Sequence, residues 1–376
     1  MKVMFVAPRF HTNQREIVNA LIERGHIVSF YSIYIGNTED HTSVKPTLIP
    51  SIDNKKEITD EKTYVDNFVI NKHKMDVIFK REKPDLVILR NKSRTMRIMY
   101  KLCKKNKIDT LLYNQEPLFR EKKSLLKRLF HFAYNFSVPS KRITPVLYDN
   151  YFKKNSTCLI GDKNARYLPF IVPFPNGNYN KMFSRDNKLR IIDVGKYRSY
   201  KNHFLLIDAI DLSLNKNNIL VTIVGQCISE NEKEYYAKLK SYILQKGLEK
   251  NVNLVKNVDV NEMNEYYSVN DLFVLCSVKE DASVSVLEAM AYGLPQLVTS
   301  NNGTSFVITE NTGRVFNPMR ADDLKNKIDF FFSIGPVGLK KMSEKTIEYM
   351  KSNHTRAIYV DKFEKMVLSF FKGRIV

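Results

Sequence analysis

Residues 270–299 read Asn270-Asp271-Leu272-Phe273-Val274-Leu275-Cys276-Ser277-Val278-Lys279-Glu280-Asp281-Ala282-Ser283-Val284-Ser285-Val286-Leu287-Glu288-Ala289-Met290-Ala291-Tyr292-Gly293-Leu294-Pro295-Gln296-Leu297-Val298-Thr299. Leu272–Cys276 is apolar without interruption, as in a strand buried on both faces. Ser285–Ala291 is helical and stops at Gly293-Leu294-Pro295, a glycine that releases the helix before a proline that cannot extend it. Gln296–Thr299 is a second strand. Strand, helix and strand in so short a span make one β-α-β unit with parallel strands.

The same alternation runs outward in both directions. Leu189–Val194 predicts a strand, His203–Leu212 a helix, Leu220–Val224 a strand, Glu232–Gln245 a helix and Val252–Val255 a strand. In the first half Lys2–Ala7 is a strand, Asn13–Arg24 a helix stopping at Gly25, and Val28–Ile33 a strand. Asp85–Leu89 and Thr110–Tyr113 are strands around the helical Ser93–Lys105. Three prolines and a glycine crowd residues 167–180, which suits a connection between domains. The spacing over 355–372 predicts a helix with Ile358, Phe363, Val367 and Phe371 on or near one face. Two doubly wound α/β halves are the economical solution, with ligands expected at the C-terminal ends of the strands. Two halves facing each other make a cleft suited to a small molecule.

At 376 residues, 43% apolar and 27% charged, the chain has material for two ordinary cores. No run of about 18 uncharged apolar residues exists to form a spanning helix. The apolar start, Met1–Pro8, is short for a signal peptide and reads as a first buried strand, so a cytosolic protein is expected. Cys103, Cys158, Cys227 and Cys276 form no C-x-x-C pair and lack His at metal-ligand spacing, which argues for reduced thiols and against a zinc site. The net charge of +20 is uneven: residues 71–142 hold 20 Lys and Arg against 6 Asp and Glu. Such a patch favours an anionic membrane, phosphorylated substrates or nucleic acid, unless it serves solubility alone.

Glu280 and Glu288 stand eight apart, one in the loop after a strand and one on the next helix. Two such carboxylates can grip two hydroxyl-bearing parts of one ligand, while the Asp281, Ala282, Ser283 and Val284 amides near the helix start can hold a phosphate. Glutamates at arbitrary spacing are more often solvated. Here, however, Glu280, Glu288 and the run Ala289–Pro295 resemble the signature of retaining glycosyltransferases of family 4, which have the GT-B fold. The resemblance implies that Glu280 contacts the donor sugar and Glu288 the nucleotide ribose. A second match is Ile192-Asp193-Val194-Gly195-Lys196-Tyr197-Arg198-Ser199-Tyr200-Lys201-Asn202, where Gly195 and Lys201 fit the family's diphosphate-binding turn. Lys196 stands where the family has Arg, keeping the charge without the bidentate fork, and Arg198 is an alternative first cation. Lys256-Asn257-Val258 falls where members contact the base through backbone groups, giving Lys256 and Val258 as donor-side candidates. Asn270–Ser277, Thr299–Gly303 and Asn311–Phe316 also follow the family order, so the matches span about residues 189–318.

The first half resembles the family only in layout. Its first loop, Pro8-Arg9-Phe10-His11-Thr12-Asn13-Gln14, lacks the family's glycines, and Tyr113-Asn114-Gln115-Glu116-Pro117 lacks its His. His11, Asn114, Gln115 and Glu116 are the acceptor-side candidates. The domains expected are 1–170 on the acceptor side, 181–354 for the nucleotide sugar, and 355–376 as a helix returning to the first. The implied activity is retaining transfer of a hexose-type sugar from a nucleotide sugar to a glycan or lipid-linked acceptor in cell-surface polysaccharide assembly. Lys196, Lys201 and the Ser283 and Val284 amides would stabilise the leaving diphosphate. GT-B enzymes usually lack a metal-binding Asp-x-Asp, and none occurs here, so metal-independent catalysis without a cofactor is expected. Cations mixed with apolar residues over 121–134 suit contact with the inner face of the cell membrane, or packing of the apolar stripe into the first domain. A sugar-nucleotide epimerase or hydrolase on the same fold, and a nucleic-acid-binding protein using the basic half, are the alternatives. No known nucleic-acid motif is present.

Overall fold

The computed structural model describes residues 1–36, 41–52, 61–121, 138–148, 150, 159–175, 179–184 and 186–371. The chain forms two compact units. The first comprises Met1–Val146, Cys158–Ile171 and His354–Val376, the second Leu147–Thr157 and Val172–Asn353. Thus Leu147, Tyr148 and Asn150, expected in the first domain, group with the second unit. There Tyr148 packs edge-on against Phe306, and Asn150 donates to Asn301 Oδ1 at 2.7 Å.

The first unit is built on strands β1 (Lys2–Ala7), β2 (Ile27–Ser32), β3 (Thr47–Leu48), β4 (Leu86–Arg90), β5 (Asp109–Tyr113), β6 (Phe119–Glu121), β7 (Arg142–Thr144), β8 (Leu159–Gly161) and β9 (Ala165–Tyr167). Seven of them form a parallel sheet in the order β3-β2-β1-β4-β5-β7-β9, while β6 and β8 make an antiparallel ribbon. Helices α1 (Thr12–Glu23), α2 (Glu61–Asn67), α3 (Lys72–Glu82) and α4 (Arg94–Lys105) join the strands. Ser93 caps α4 by accepting from the Met96 amide, and Gly25 leaves α1 at φ +89°, a conformation that favours glycine. The core under α3 and α4 joins Met4, Val6, Val87 and Leu89 to Met75, Phe79, Met96 and Met99.

The second unit runs β10 (Leu189–Val194), α5 (His203–Leu212), β11 (Ile219–Gly225), α6 (Glu230–Gln245), β12 (Val252–Lys256), α7 (Met263–Val269), β13 (Leu272–Leu275), α8 (Val284–Ala291), β14 (Gln296–Thr299), β15 (Gly313–Phe316) and α9 (Ala321–Asn353). Its six strands are all parallel, in the order β12-β11-β10-β13-β14-β15. Every residue of β13 is buried, as its unbroken apolar run predicts. Helix α9 bends at Gly335, whose φ of 57° is non-helical and is followed by Pro336.

The last helix, α10 (Arg356–Phe371), belongs to the first unit. Tyr359, Val360, Phe363 and Val367 are buried, and Arg356 pairs with Glu16 on α1. Each sheet reverses its strand order once, at β1/β4 and at β10/β13. In doubly wound folds that reversal opens a crevice at the carboxyl ends of the strands.

Candidate active site

At the end of β10 the chain turns at Gly195, whose amide donates to the Val224 carbonyl at 2.9 Å. A short 3-10 turn, Ser199–Lys201, then brings the chain back. Asn202 ends it at φ 57°, with its side-chain amide donating to the Pro318 carbonyl at 3.1 Å. The Lys201 side chain therefore folds across Gly195, where an added Cβ would lie 3.0 Å from Lys201 Cε. Gly225 is equally constrained, since a Cβ there would stand 2.2 Å from the Gly195 carbonyl oxygen.

From the other side of the crevice comes the loop after β13. Lys201 Nζ donates to Glu280 Oε2 at 2.7 Å, and Ser277 Oγ donates to the same oxygen at 3.2 Å. The Glu280 backbone is fixed as well: its amide donates to Asn301 and its carbonyl accepts from Gly303. Two residues 79 positions apart thus form a nearly buried ion pair at the switch point.

Beneath this pair lies a feature absent from the sequence analysis. Asp193 and His203 are wholly buried, with Asp193 Oδ1 3.9 Å from His203 Nε2, and none of their side-chain polar atoms has a hydrogen-bond partner. Burial pushes the Asp193 carboxyl up to about 7, with Lys201 opposing and Glu280 adding to the shift. Burial also pushes His203 down to about 3, and Lys201 acts in the same direction. An Asp directly after Ile191-Ile192 in a strand expected at the centre of a parallel sheet was the available signal.

Glu288 projects from the second turn of α8. It accepts a hydrogen bond from the Tyr267 hydroxyl at 2.8 Å, and the buried Tyr267 ring stacks on Tyr292. At the head of α8 the Ser283 amide donates to Thr304 Oγ1 at 2.8 Å. Of the two amides expected to face a diphosphate, Ser283 is therefore engaged inside the protein. Val284 is the first helical residue, and its amide has no intrahelical acceptor. Asp281 is exposed and Ala282 half-buried in the loop before it.

The remaining donor-side candidates are spread around the same sheet edge. Lys196 is half-buried. Arg198 Nε donates to Glu232 Oε1 at 2.8 Å, so this guanidinium braces the start of α6, where Ser229 and Glu232 form a capping box. Lys256 Nζ lies 4.8 Å from the centre of the Tyr236 ring. Val258 is half-buried and follows Asn257, which exchanges two hydrogen bonds with the Cys227 backbone. Glu280, Lys201 and Gly195 are brought together; Arg198 is held toward α6.

In the first unit the candidates take mostly internal partners. His11 caps α1: its carbonyl accepts from the Gln14 amide at 2.8 Å, and its amide donates to Gln14 Oε1 at 3.2 Å. Asn114 is buried with Oδ1 on Arg142 Nη1 at 3.0 Å, while its Nδ2 has no partner. Glu116 is gripped by Lys92 and Arg120, each at 2.6 Å. Burial opposes its ionisation, but the two cations outweigh burial and hold the carboxyl down at about 2. Gln115 is half-buried between them in sequence. Arg142 also donates to Asp162 and to the Glu116 carbonyl, which makes it the centre of this network.

Among the described residues no helix is long and apolar enough to cross a membrane, and no three His, Cys, Asp or Glu side chains converge. The basic stretch lies, beyond Glu121, outside the described residues.

Residues 178–353 match the sequence family described as Glycosyl transferases group 1. Over the whole chain the structure superposes on a glycosyltransferase from Rickettsia africae with a TM-score of 0.73 at 16% identity, covering 99% of each chain. The fold is GT-B. A second similar structure is Alr3699/HepE of Anabaena in complex with UDP-glucose, at a TM-score of 0.72 and 12% identity, covering 98% of this chain and all of that one. In sequence, mannosylfructose-phosphate synthase of Agrobacterium fabrum is 28% identical over 138 residues, 36% of this chain and 30% of that protein. The chain spans less than a third of the length of the curated relatives it matches. The matched residues fall in the second unit, and the Lys201–Glu280 pair lies among them.

Proposed function

We propose that this protein is a retaining glycosyltransferase of the family 4 type. It moves a hexose-type sugar from a nucleotide sugar to a glycan or lipid-linked acceptor in cell-surface polysaccharide assembly. The observation that carries the reading is the nearly buried Lys201–Glu280 pair at the β10/β13 switch point, with Glu288 on the adjoining helix. The family match over 178–353 and the UDP-glucose held by the Anabaena neighbour support it.

The roles follow from charge. When the glycosidic bond to the donor breaks, negative charge gathers on the departing diphosphate and positive charge on the sugar ring. Lys201, Lys196 and the Val284 amide at the head of α8 oppose the first in a site of restricted water. Glu280 orients the sugar, and Glu288, held by Tyr267, binds the ribose. The lysines supply the positive charge that a metal supplies elsewhere, so transfer proceeds without a divalent ion. The surplus of cations over 71–142 supports docking on the anionic inner face of the cell membrane.

Thermal unfolding in the presence of UDP, GDP, CDP and their sugars, with a chelator present, tests the donor site. One nucleotide is expected to raise the midpoint in the wild type and not in Glu288→Ala. Transfer to an acceptor glycan then separates this activity from epimerisation or hydrolysis, which need the nucleotide sugar alone. No shift with any nucleotide would overturn the proposal.

A further inference from the structure

The first unit holds two buried arginines whose surroundings differ. Arg142 is matched by Asp162 at 3.1 Å, by Asn114 Oδ1 and by the Glu116 carbonyl. Arg90, the last residue of β4, is 8% exposed and has one hydrogen-bond acceptor among the described residues, Asn13 Oδ1 at 3.1 Å on Nη1. A guanidinium carries five N–H donors, and this one faces no carboxylate among the described residues. Its other neighbour is the ring of Tyr113, 5.8 Å away, whose buried hydroxyl also lacks a partner. Burial opposes the charge on Arg90 most, the Tyr113 hydroxyl favours the charge, and a second cation, Arg9, opposes it in the same sense as burial does. An unmatched buried charge is costly, and folds retain one where a ligand supplies the counter-charge.

Position points the same way. Arg90 ends β4 and Arg9 follows β1, so the two flank the place where this sheet reverses its strand order. Asn13 lies in the first turn of α1, which has no acidic residue there and whose Thr12 and Asn13 amides precede the first intrahelical acceptor.

We propose that the edge between β1 and β4 binds an acidic group of the acceptor, a phosphate or a carboxylate, with Arg90 as the buried cation and Arg9 as the outer one. Asn13 positions the guanidinium by taking one donor and leaving the rest toward the anion. The assignment of the anion to the acceptor rests on the glycosyl-transfer reading; the anion site itself does not.

The test uses the full chain with its nucleotide site saturated by whichever nucleotide the panel identifies, or left empty if none binds. Inorganic phosphate and acetate are titrated by calorimetry and by thermal unfolding. One of them is expected to bind the wild type, and the tighter one names the acid group. Arg90→Gln is expected to weaken that binding by about tenfold or more, with the nucleotide response intact. Its midpoint without ligand should equal or exceed the wild type's, because a mismatched charge has gone. Unchanged anion affinity in Arg90→Gln, or no binding of either probe by the wild type, overturns the proposal. A lowered midpoint with unchanged affinity also overturns it, making Arg90 a brace for α1. Loss of anion binding in Lys201→Gln with retention in Arg90→Gln would place the anion in the second unit and overturn it too. Should Arg90→Gln fail to fold, Arg9→Gln and Arg90→Lys carry the same comparison. A silent nucleotide panel with a positive phosphate titration separates failure of the glycosyltransferase reading from failure of this one.

Discussion

At the scale of single residues, the site is a problem of charges placed where water is scarce. Lys201 is tolerable at its depth because Glu280 answers it at 2.7 Å. Glu280→Gln keeps the shape and removes the counter-charge. Transfer is expected to fall by about 10²–10³-fold while nucleotide affinity changes little, which steady-state kinetics beside a binding titration would show. Equal loss in both quantities would count against a role at the sugar. Asp193 and His203 pull stability in opposite directions. Asp193, raised from its ordinary 3.8 to about 7, loses native stability as pH rises between those values. His203, lowered from 6.5 to about 3, loses it as pH falls through that range. Between about pH 4 and 6.5 the two slopes largely cancel. Asp193→Asn removes one of them. Its urea midpoint is expected to exceed the wild type's above pH 7 and to fall on acidification below 6.5, by on the order of 1 kcal/mol per pH unit. A profile parallel to the wild type's would place the buried charge elsewhere.

Elements supply the positions that those residues need. Strands β10 and β11 approach so closely at their ends that Gly225 has no room for a side chain: its Cβ would stand 2.2 Å from backbone oxygen. Gly225→Ala must therefore push the Gly195 turn outward. A loss of about 2 kcal/mol or more is expected in denaturant unfolding, together with a weaker nucleotide response, since Lys201 lies over the same turn. Most of these elements were legible. The helix predicted over His203–Leu212 and the strand over Leu189–Val194 are found at those bounds. The helix expected from Glu232 begins two residues earlier, at Glu230, because Ser229 and Glu232 form a capping box. Helices α2, α3, α7 and α9 were not foreseen. In α9 the Gly335-Pro336 pair breaks the pattern that a continuous helix would show.

The whole molecule is two units whose chain segments interleave. Arg356 carries α10 onto α1, with Nη2 2.6 Å from Glu16 and a further contact to Glu23. Glu16 is buried, so Arg356→Ala leaves its carboxylate to Asn19 and to a longer contact with Arg15. A loss on the order of 2 kcal/mol is expected in urea unfolding. Nucleotide binding should persist at denaturant concentrations where both proteins stay folded, because the donor residues belong to the other unit. Anionic vesicles offer a measurement at this scale for the charge over 71–142. Cosedimentation is expected at low salt and should fall steeply as ionic strength rises. Binding that ignores salt would point away from the cationic surface.

The sequence by itself determined the alternation of elements and the parallel character of the two larger sheets, and the resemblance to a known family singled out Gly195, Lys201, Glu280 and Glu288. The alternation is written locally, in uninterrupted apolar runs and in glycine and proline stops. Tertiary structure alone decided which charges meet. Nothing local tells that Arg198 turns to Glu232, that Glu116 is held between Lys92 and Arg120, or that Tyr267 holds Glu288. Nor does it tell that, among the described residues, Arg142 finds an acid while Arg90 finds none. Partners distant in sequence are chosen by strand order, and strand order is set by burying the most apolar surface rather than by any pair of charged residues.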